Sequence, residues 1–424
     1  MTTPLQFFRY FNQVLCSDKV SLLEIAHSVN TPCYIYSARG FLDPLKTLQK
    51  ELSAIDHLIC FAVKSNSNCA ILKLLSKAGT GVDLVSAGEL FRAKKARISG
   101  EKIVFSGVGK TSDEMKMALE YPGNGIFSFN VESISELLTL NKMSLQLEKR
   151  ANVALRFNPD INAKTHPYIS TGLKKNKFGM TYSEIIKLVQ ILPTLPGVCL
   201  RGISIHIGSQ LLDLTPLEDA FIKLKNLITE LKPYLKDPIR FVDLGGGLGI
   251  TYHDEVAPSL KQYCQLIRKH FCKTSLKVLI EPGRTLSGNA GILITKIQYL
   301  KERKGKNFII LDAGMNDLIR PALYQSHHEI IPLKKPSPGS RMQKFDIFGP
   351  VCESADCFAH SRLLPSNLKE GDYLAILSAG AYGFSMASNY NSRVRPSEVL
   401  IADKGFKVIR DRENFEDLIR GERY

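Results

Sequence analysis

Three residues that could do chemistry stand at the ends of apolar, strand-like segments of this chain. Lys64 closes segment 57–64, His206 lies near the end of segment 200–207, and Glu281 follows an apolar run. A lysine desolvated at a strand end is a nucleophile that can form a Schiff base. A carboxylate that directly follows an apolar run is expected to be buried, so it needs a partner of opposite charge. The ordinary alternatives are that Lys64 is solvated and that His206 is a core histidine.

A glycine-rich segment, 245–249, follows another strand-like run and reads GGGLG. Closely spaced glycines expose backbone N–H groups to an anion, and the last two strand-to-helix loops of a β/α barrel are its usual phosphate site. The segment is not a dinucleotide fingerprint, because Ile250 stands where GxGxxG needs a glycine. Ser209 and Arg284 add phosphate donors from neighbouring loops. A tight turn without a ligand is the alternative.

A lysine, a phosphate cradle, a flat imidazole and a buried carboxylate together make up a pyridoxal-phosphate site. The elements that must position them alternate between strand-like and amphipathic segments. The eight predicted strands are 57–64, 80–86, 102–108, 125–131, 152–158, 200–207, 239–245 and 276–282. The amphipathic, helix-like stretches between them are 70–78, 87–98, 112–120, 133–145, 182–192, 215–234 and 258–271. Eight such units predict an α/β fold with an eight-stranded β/α (TIM-like) barrel, in preference to a doubly wound sheet.

The pattern changes after residue 285, where strand-like runs are no longer separated by long helical ones. These runs, 291–300, 307–312, 373–380 and 398–411, predict a C-terminal, mostly antiparallel β domain, with turns at 301–306 and 334–343. Near the amino end, a helix is predicted over 20–28, followed by a strand, TPCYIYS. The predicted domains are an N-terminal segment (1–36) packing with the β domain, a cofactor-binding barrel (37–285) and the β domain (286–424).

Composition excludes several other classes of protein. The 424 residues carry a formal net charge of +15, but the basic residues form only short, scattered runs, which do not indicate a nucleic-acid partner. The nine cysteines form no CxxC pair, so neither a zinc site nor any other metal site is predicted. Without a signal-peptide pattern or a membrane-spanning apolar run, the expected location is a reducing cytoplasm.

These motifs resemble the diaminopimelate decarboxylase family, within the alanine-racemase/ornithine-decarboxylase-like class of pyridoxal-phosphate enzymes. The resemblance extends from about residue 30 to 420. The motifs that carry it are AVKSN around Lys64, DLVSAGEL (83–90), THPYISTG (165–172), KFGM (177–180), HIGSQ (206–210), DLGGGLGI (243–250), EPGR (281–284), DAGMNDLIRPALY (312–324), GPVCESAD (349–356) and GAYGFSMASNYN (380–391). It implies decarboxylation of meso-2,6-diaminopimelate to L-lysine and CO2, the last step of lysine biosynthesis, with pyridoxal 5'-phosphate as cofactor.

The resemblance also implies roles for individual residues. The residues implied to bind the cofactor are Lys64, which would hold it covalently, His206, Ser209, Gly245, Gly246, Gly247, Glu281, Pro282, Gly283, Arg284 and Tyr382. The residues implied to bind substrate are Arg284, Arg320, Tyr324, Glu353 and Tyr382. Cys352 would be the catalytic acid that protonates the α-carbon. A homodimer is implied, with Cys352 and Glu353 completing the partner chain's site.

The nearest alternative is the same chemistry on another basic amino acid, such as ornithine, arginine or carboxynorspermidine. A substrate whose far end carries an amine and a carboxylate needs both charges, which Glu353 and Arg320 supply, whereas ornithine needs no distal arginine. One departure bears on this choice: Ser204 stands where the family usually has a second histidine. A non-catalytic pyridoxal-phosphate protein would be a lone barrel without the β domain.

Overall fold

A computed structural model describes residues 5–162, 172 and 176–423 of the chain. Most of the THPYISTG motif (165–171) lies outside the described residues. The chain divides into two compact units. The barrel unit comprises Pro44–Gly249 and Ala257–Thr285, and the sheet unit comprises residues 5–43, Ile250–Val256 and 286–423.

The amino-terminal elements belong mainly to the sheet unit. In chain order they are β1 (Arg9–Phe11), β2 (Val14–Ser17), β3 (Val20–Ser21), α1 (Leu22–Val29), β4 (Cys33–Ser37) and α2 (Ala38–Glu51). The first three strands form a small antiparallel sheet. Helix α1 begins after Ser21 because that side chain accepts a hydrogen bond from the Glu24 amide and so caps the first turn. Leu22 and Ile25 of this helix are fully buried in the core of the sheet unit.

Eight parallel strands close into the predicted barrel. They are β5 (His57–Ala62), β6 (Gly81–Leu84), β7 (Ile103–Phe105), β8 (Ser128–Val131), β9 (Ala151–Phe157), β10 (Val198–Ile205), β11 (Phe241–Asp243) and β12 (Lys277–Ile280). The helices of this unit are α3 (Cys69–Lys77), α4 (Ala87–Lys95), α5 (Ser112–Leu119), α6 (Ile134–Gln146), α7 (Tyr182–Ile191), α8 (Thr215–Leu231), α9 (Leu260–Phe271) and α10 (Arg284–Ser287). The barrel closes where β12 pairs with β5, Val278 opposite His57.

Several barrel strands end earlier than predicted. The segment 57–64 leaves the sheet at Ala62 and continues as a short 3-10 turn, Val63–Ser65, which carries Lys64. The segment 276–282 leaves the sheet at Ile280, one residue before Glu281. The reason is geometric: at the carboxyl end of a parallel barrel, the chain turns away from its neighbours to enter the loop. The chemically active residues therefore lie just beyond regular pairing.

The second unit is built around a nine-stranded, mostly antiparallel sheet, as predicted. Its remaining elements are β13 (Gly291–Arg303), β14 (Lys306–Leu311), α11 (Arg320–Tyr324), β15 (Ile330–Pro332), β16 (Met342–Phe348), β17 (Cys357–Pro365), β18 (Tyr373–Ile376), β19 (Ser397–Ala402), β20 (Gly405–Arg410) and α12 (Phe415–Leu418). Strand β4, the predicted TPCYIYS strand, lies between β13 and β19. Among the described residues, no helix is long and apolar enough to cross a membrane.

Two predictions for this unit were wrong in detail. The single strand expected over 398–411 is a hairpin, β19 and β20, which turns at Asp403 and Lys404, both with positive φ. Strands β15, β16 and β17 were not predicted, and β16 begins inside the turn expected over 334–343.

Candidate active site

A cavity of about 440 Å³ opens at the carboxyl ends of the barrel strands. The position is the one at which β/α barrels carry their chemistry. Its lining residues are Lys64, Val85, Ser106, Gly107, Val108, Gly109, Glu114, Asn130, Arg156, Phe178, Ser204, Ile205, His206, Asp243 and Glu281. Three of the residues predicted from the sequence, Lys64, His206 and Glu281, thus share one cavity, although the chain separates them widely.

The Lys64 amine is paired with a carboxylate. Its Nζ lies 3.0 Å from Oδ2 of Asp83, a fully buried residue of β6, and 38% of the lysine side chain is exposed. Lys64 is therefore not the desolvated amine that its apolar strand predicted, because the 3-10 turn carries it out of the strand toward the open cavity. The ion pair anchors the amine at the rim of the cavity.

Two buried carboxylates meet at the floor of the cavity. Asp243 and Glu281 share a hydrogen bond, and burial raises the pKa of both. Asp243 also accepts hydrogen bonds from Nδ2 of Asn130 (2.9 Å) and from the Gly245 amide (3.0 Å). With these donors fixing Asp243, its negative charge and that of Asp83 further raise the pKa of Glu281, which we therefore assign the shared proton. Oε1 of Glu281 is buried and has no hydrogen-bond partner among the described residues.

His206 follows β10 and is held by the glycine segment. Its Nδ1 accepts a hydrogen bond from the Gly246 amide (3.3 Å), which leaves the proton of the neutral ring on Nε2. Burial, together with the positive charges of Arg156 and Lys64, lowers the pKa of His206 well below 6.5. The side chain is therefore a neutral, planar ring, suited to stacking on a flat ligand.

Arg156, which the sequence analysis did not single out, is positioned from two sides. Its Nη1 lies 2.7 Å from Oε1 of Glu132, and its guanidinium stands 4.9 Å from the centre of the Phe178 ring. The other carboxylate oxygen of Glu132 accepts a hydrogen bond from the Gly179 amide (2.9 Å). The KFGM motif (177–180) therefore serves to fix an arginine in the wall of the cavity.

The glycine segment packs so closely against its neighbours that side chains would not fit. A Cβ atom on Gly247, whose φ is +107°, would lie 2.4 Å from the carbonyl oxygen of Gly208. A Cβ atom on Gly246 would lie 2.2 Å from the carbonyl oxygen of Glu281. Such a backbone cradle is the usual protein site for a phosphate group.

Two further predicted phosphate ligands contact each other beside this segment. Arg284 is 7% exposed, and its Nη2 donates a hydrogen bond to Oγ of Ser209 (3.0 Å). Gly283 packs against Ala62 and Ser65, while the carbonyl of Pro282 accepts a hydrogen bond from the Ala62 amide (3.2 Å). The EPGR motif is thus joined to the strand that leads to Lys64.

The cavity fits pyridoxal phosphate on three counts. It offers the Lys64 amine at its rim and, at its floor, a Glu281 carboxylate oxygen that has no hydrogen-bond partner among the described residues. The glycine cradle is not part of the cavity lining, but it packs directly against His206 and Glu281, which are. Ser204 adds a buried hydroxyl that has no partner among the described residues. A cationic ring nitrogen is the partner that would allow Glu281 to ionise.

The predicted substrate residues belong to the sheet unit. Arg320, at the start of α11, is 5% exposed; its Nη1 lies 2.9 Å from Nε2 of His328, and its guanidinium stands 4.8 Å from the centre of the Tyr252 ring. Tyr324 ends the same helix, and Tyr382 has a positive φ of +56°. Arg320 is thus a buried cation with a fixed orientation.

Cys352 and Glu353 lie between β16 and β17, and both are exposed. The Cys352 amide donates a hydrogen bond to Oδ1 of Asn391 (2.8 Å), and Tyr390 donates to Glu353 (3.4 Å). Buried Asp356 accepts hydrogen bonds from the Val351 and Met315 amides (both 2.6 Å) and so fixes the loop. The segment is ordered by its own contacts while its reactive side chains face outward.

One group of side chains in the sheet unit resembles a metal site. Ligand atoms of His253, His327 and Glu329 lie within 4.8 Å of one another. The two imidazole rings are stacked, with centres 4.1 Å apart, and Arg362 donates to Glu329 (2.9 Å) and lies 3.0 Å from Nε2 of His327. Because Arg362 already supplies a cation to this carboxylate, the cluster is explained by stacking and ion pairing.

Comparisons with known proteins agree with this geometry. A family model described as "Pyridoxal-dependent decarboxylase, pyridoxal binding domain" matches residues 41–288. The diaminopimelate decarboxylase of Vibrio cholerae is 45% identical over 414 residues, which are 96% of this chain and 97% of that protein. The diaminopimelate decarboxylase of Aquifex aeolicus is 43% identical over 414 residues, 97% of this chain and 96% of that protein.

Solved structures show the same similarity in three dimensions. The diaminopimelate decarboxylase of Helicobacter pylori, complexed with L-lysine, superimposes with a TM-score of 0.89 at 41% identity, covering 94% of this chain and 98% of that one. The enzyme from M. jannaschii, in complex with L-lysine, gives 0.92 at 37% identity, covering 100% and 99%.

Proposed function

The chain belongs to the pyridoxal-dependent decarboxylases, and we infer that it converts meso-2,6-diaminopimelate to L-lysine and CO2 with pyridoxal 5'-phosphate as its cofactor. The observation that carries this inference is the meeting of Lys64, His206 and Glu281 in one cavity at the carboxyl end of the barrel. Similarity over nearly the whole chain to enzymes of that activity supports it, as do the two relatives solved with L-lysine.

Each residue of the cavity would hold one part of the cofactor. Lys64 would attach it through the ε-amine, His206 would stack on its ring, and Glu281 would face its ring nitrogen. Tyr382 would be a further contact of the cofactor. The glycine cradle, with Ser209, Gly283 and Arg284, would hold its phosphate. When bound, pyridoxal phosphate supplies a ring that accepts the electron pair left as CO2 departs.

The cavity determines how strongly the ring draws electrons. Glu281 as a carboxylate would keep the ring nitrogen protonated, and a protonated ring accepts electrons better than a neutral one. Neutral His206 adds no positive charge that would compete with that proton. Asp83 holds the Lys64 amine at the rim by an ion pair of 3.0 Å. Glu281, His206 and Asp83 would thus set the protonation of the cofactor ring and the position of the Lys64 amine before substrate binds.

The two ends of the substrate require different partners. The departing carboxylate lies at one end, while the other end carries an amine and a carboxylate. We assign Arg320 to the distal carboxylate, because its guanidinium is buried and oriented by His328 and Tyr252. Tyr324 and Glu353 would also bind the substrate, and Glu353 would pair with the distal amine. Cys352 would then give a proton to the α-carbon.

Assays of CO2 release test the substrate assignment. The purified holoenzyme should release CO2 from meso-diaminopimelate and form L-lysine, and it should release little from ornithine or arginine. Activity with ornithine and none with meso-diaminopimelate would overturn the assignment. Lys64→Ala should abolish turnover and remove the cofactor adduct that borohydride reduces, whereas Lys187→Ala, which changes an exposed lysine on α7 of the same unit, should keep the adduct.

We also propose that the chain works as a homodimer in which each protomer gives Cys352 and Glu353 to its partner's site. The exposure of both side chains supports this proposal. Mixing the Lys64→Ala and Cys352→Ala proteins should then give more activity than either protein alone, because a mixed dimer places both defects in one site and leaves the other intact. Mixtures that show no such gain after subunit exchange would refute a shared site.

The proposed location is a reducing cytoplasm. All nine cysteines are free thiols, which is typical of proteins in that compartment.

A further inference from the structure

A second cavity opens at the amino ends of the barrel strands, the end away from Lys64. Its volume is about 680 Å³. The lining residues are Asp56, Ser99, Gly100, Glu101, Pro122, Gly123, Asn124, Gly125, Ile126, Phe127, Asn152, Arg201, Arg240, Phe241 and Lys277. None of these residues belongs to the catalytic cavity, and the function inferred above does not use them.

Three of the lining residues are cations on three neighbouring strands. Arg201 lies in β10, Arg240 directly precedes β11, and Lys277 begins β12. The Arg240 amide donates to the Arg201 carbonyl (2.7 Å), and the Lys277 amide donates to the Arg240 carbonyl (3.0 Å). By strand register Arg201 stands level with Arg240, whereas Lys277 stands level with Phe241. Like charges level with each other on neighbouring strands destabilise a sheet, so the two arginines call for a compensating charge.

The chain supplies only part of that charge. Lys277 pairs with Asp56, with 2.8 Å between Nζ and Oδ1. Within the described part of the chain, neither Arg201 nor Arg240 has a side-chain hydrogen bond or ion pair, and Nη1 of Arg201 is buried. A buried donor without an acceptor destabilises the folded chain. The remaining lining carboxylate, Glu101, balances at most one of the two guanidinium groups.

The rest of the cavity suits a small polar ligand. The Phe127 and Phe241 rings, with centres 5.0 Å apart, close its inner side. Gly123 and Gly125, both with positive φ, turn the loop before β8 across its edge. Asn152 and Ser99 add neutral polar groups to the lining. A compact ligand would therefore meet two unpaired arginines over an aromatic floor.

We propose that this amino-end cavity binds a compact oxyanion carrying two negative charges, such as a phosphate ester or a dicarboxylate. The planar guanidinium fork matches both anions in geometry and charge. Bound there, such an anion would supply the missing partner for Arg201 and would offset the repulsion between Arg201 and Arg240. The site is separate from the catalytic phosphate cradle, and its existence does not depend on the inferred reaction.

Calorimetric titration of the holoenzyme tests the proposal, because the catalytic phosphate site is then already filled. Inorganic phosphate and succinate are titrated separately, with sodium chloride at matched ionic strength as the reference. We expect saturable binding of at least one of them, and the stronger of the two identifies the ligand class. Arg201→Gln and Arg240→Gln should each weaken that binding roughly ten-fold or more, since each removes a charge-assisted contact.

Two matched variants distinguish binding at this cavity from a general electrostatic effect of the added anion. Arg303→Gln, which removes an exposed arginine of the sheet unit, should leave binding unchanged. Glu101→Gln should tighten binding roughly two- to five-fold, because it removes a nearby like charge. Arg240 is exposed, so its variant serves even if Arg201→Gln does not fold. The proposal fails if neither anion binds saturably, or if both arginine variants bind as the unchanged protein does.

Discussion

Replacing Glu281 by glutamine should have opposite effects on the cofactor-free and cofactor-loaded enzyme. Without cofactor, Glu281 is a buried acid beside Asp243, and its pKa lies well above 4.5 because of burial and the charges of Asp243 and Asp83. Glutamine has nearly the same shape and no charge to bury. With cofactor, the same carboxylate is the proposed partner of the ring nitrogen, and glutamine cannot replace its charge.

The size of the first effect follows from proton linkage. Between pH 4.5 and the folded-state pKa of Glu281, the unfolded chain releases a proton that the folded chain retains, so stability falls as pH rises. The loss is about 1.4 kcal/mol per pH unit. Glutamine does not titrate, so the stability of E281Q relative to the wild type should rise between pH 5 and pH 6, by at most about 1.4 kcal/mol.

The second effect is a loss of cofactor affinity. A hydrogen bond to a charged group contributes roughly 1.5–3 kcal/mol, so E281Q should bind pyridoxal phosphate about ten- to a hundred-fold more weakly. Decarboxylation should slow further, because the ring nitrogen would lose the partner that keeps it protonated.

Urea unfolding of the cofactor-free proteins at pH 5 and pH 6 measures the first effect. The chain has no tryptophan, so far-UV circular dichroism is the suitable signal. Glu120→Gln, at an exposed helix end, is the control and should follow the wild type at both pH values. Parallel pH dependence of E281Q and the wild type would show that Glu281 is already ionised in the cofactor-free chain and would refute the proton assignment.

Three further predictions concern neighbouring parts of the molecule. In steady-state assays, Cys352→Ala should slow lysine formation at least ten-fold, whereas Cys357→Ala should not. Equal rates for the two variants would show that Cys352 takes no part in the reaction. Ser204→Ala should leave the melting temperature of the cofactor-free protein unchanged or raise it, because it deletes a buried hydroxyl without a described partner. In urea unfolding, Gly247→Ala should lower the free energy of unfolding by about 1–3 kcal/mol more than Gly305→Ala does. Both glycines have positive φ, but only at Gly247 would the added methyl group collide with backbone atoms. Equal losses would contradict the close packing of the cradle.

The barrel could be predicted from sequence because apolar, strand-like segments alternate with amphipathic, helix-like ones. Strands β5 and β12 each carry a continuous apolar run, 58–62 and 278–280, that is buried on both faces. The unpredicted β16, MQKFDIF, buries only Phe345 and Ile347, and its other residues are polar or partly exposed. The sequence of a strand that has one solvent-exposed face and lies in a polar stretch resembles that of a loop. For this reason the edge strands of the second sheet were not predicted.

The same limit applies to the active site. Lys64, His206 and Glu281 were visible because each follows an apolar run at a strand end. Asp83 and Asn130 lie within the strands β6 and β8, and no local pattern distinguishes them from structural polar residues. Their roles depend on contacts with residues that are distant in sequence, which only strand pairing brings together.

Barrel closure has a consequence for how the protein is made. The strand before Lys64 pairs with β12, on the order of 200 residues later in the chain, and Glu281 follows β12 directly. A nascent chain that has not yet reached this strand has neither a closed barrel nor a floor to its cofactor cavity. Cofactor capture therefore comes after synthesis of the barrel, and the cofactor selects chains whose first and last strands have already joined.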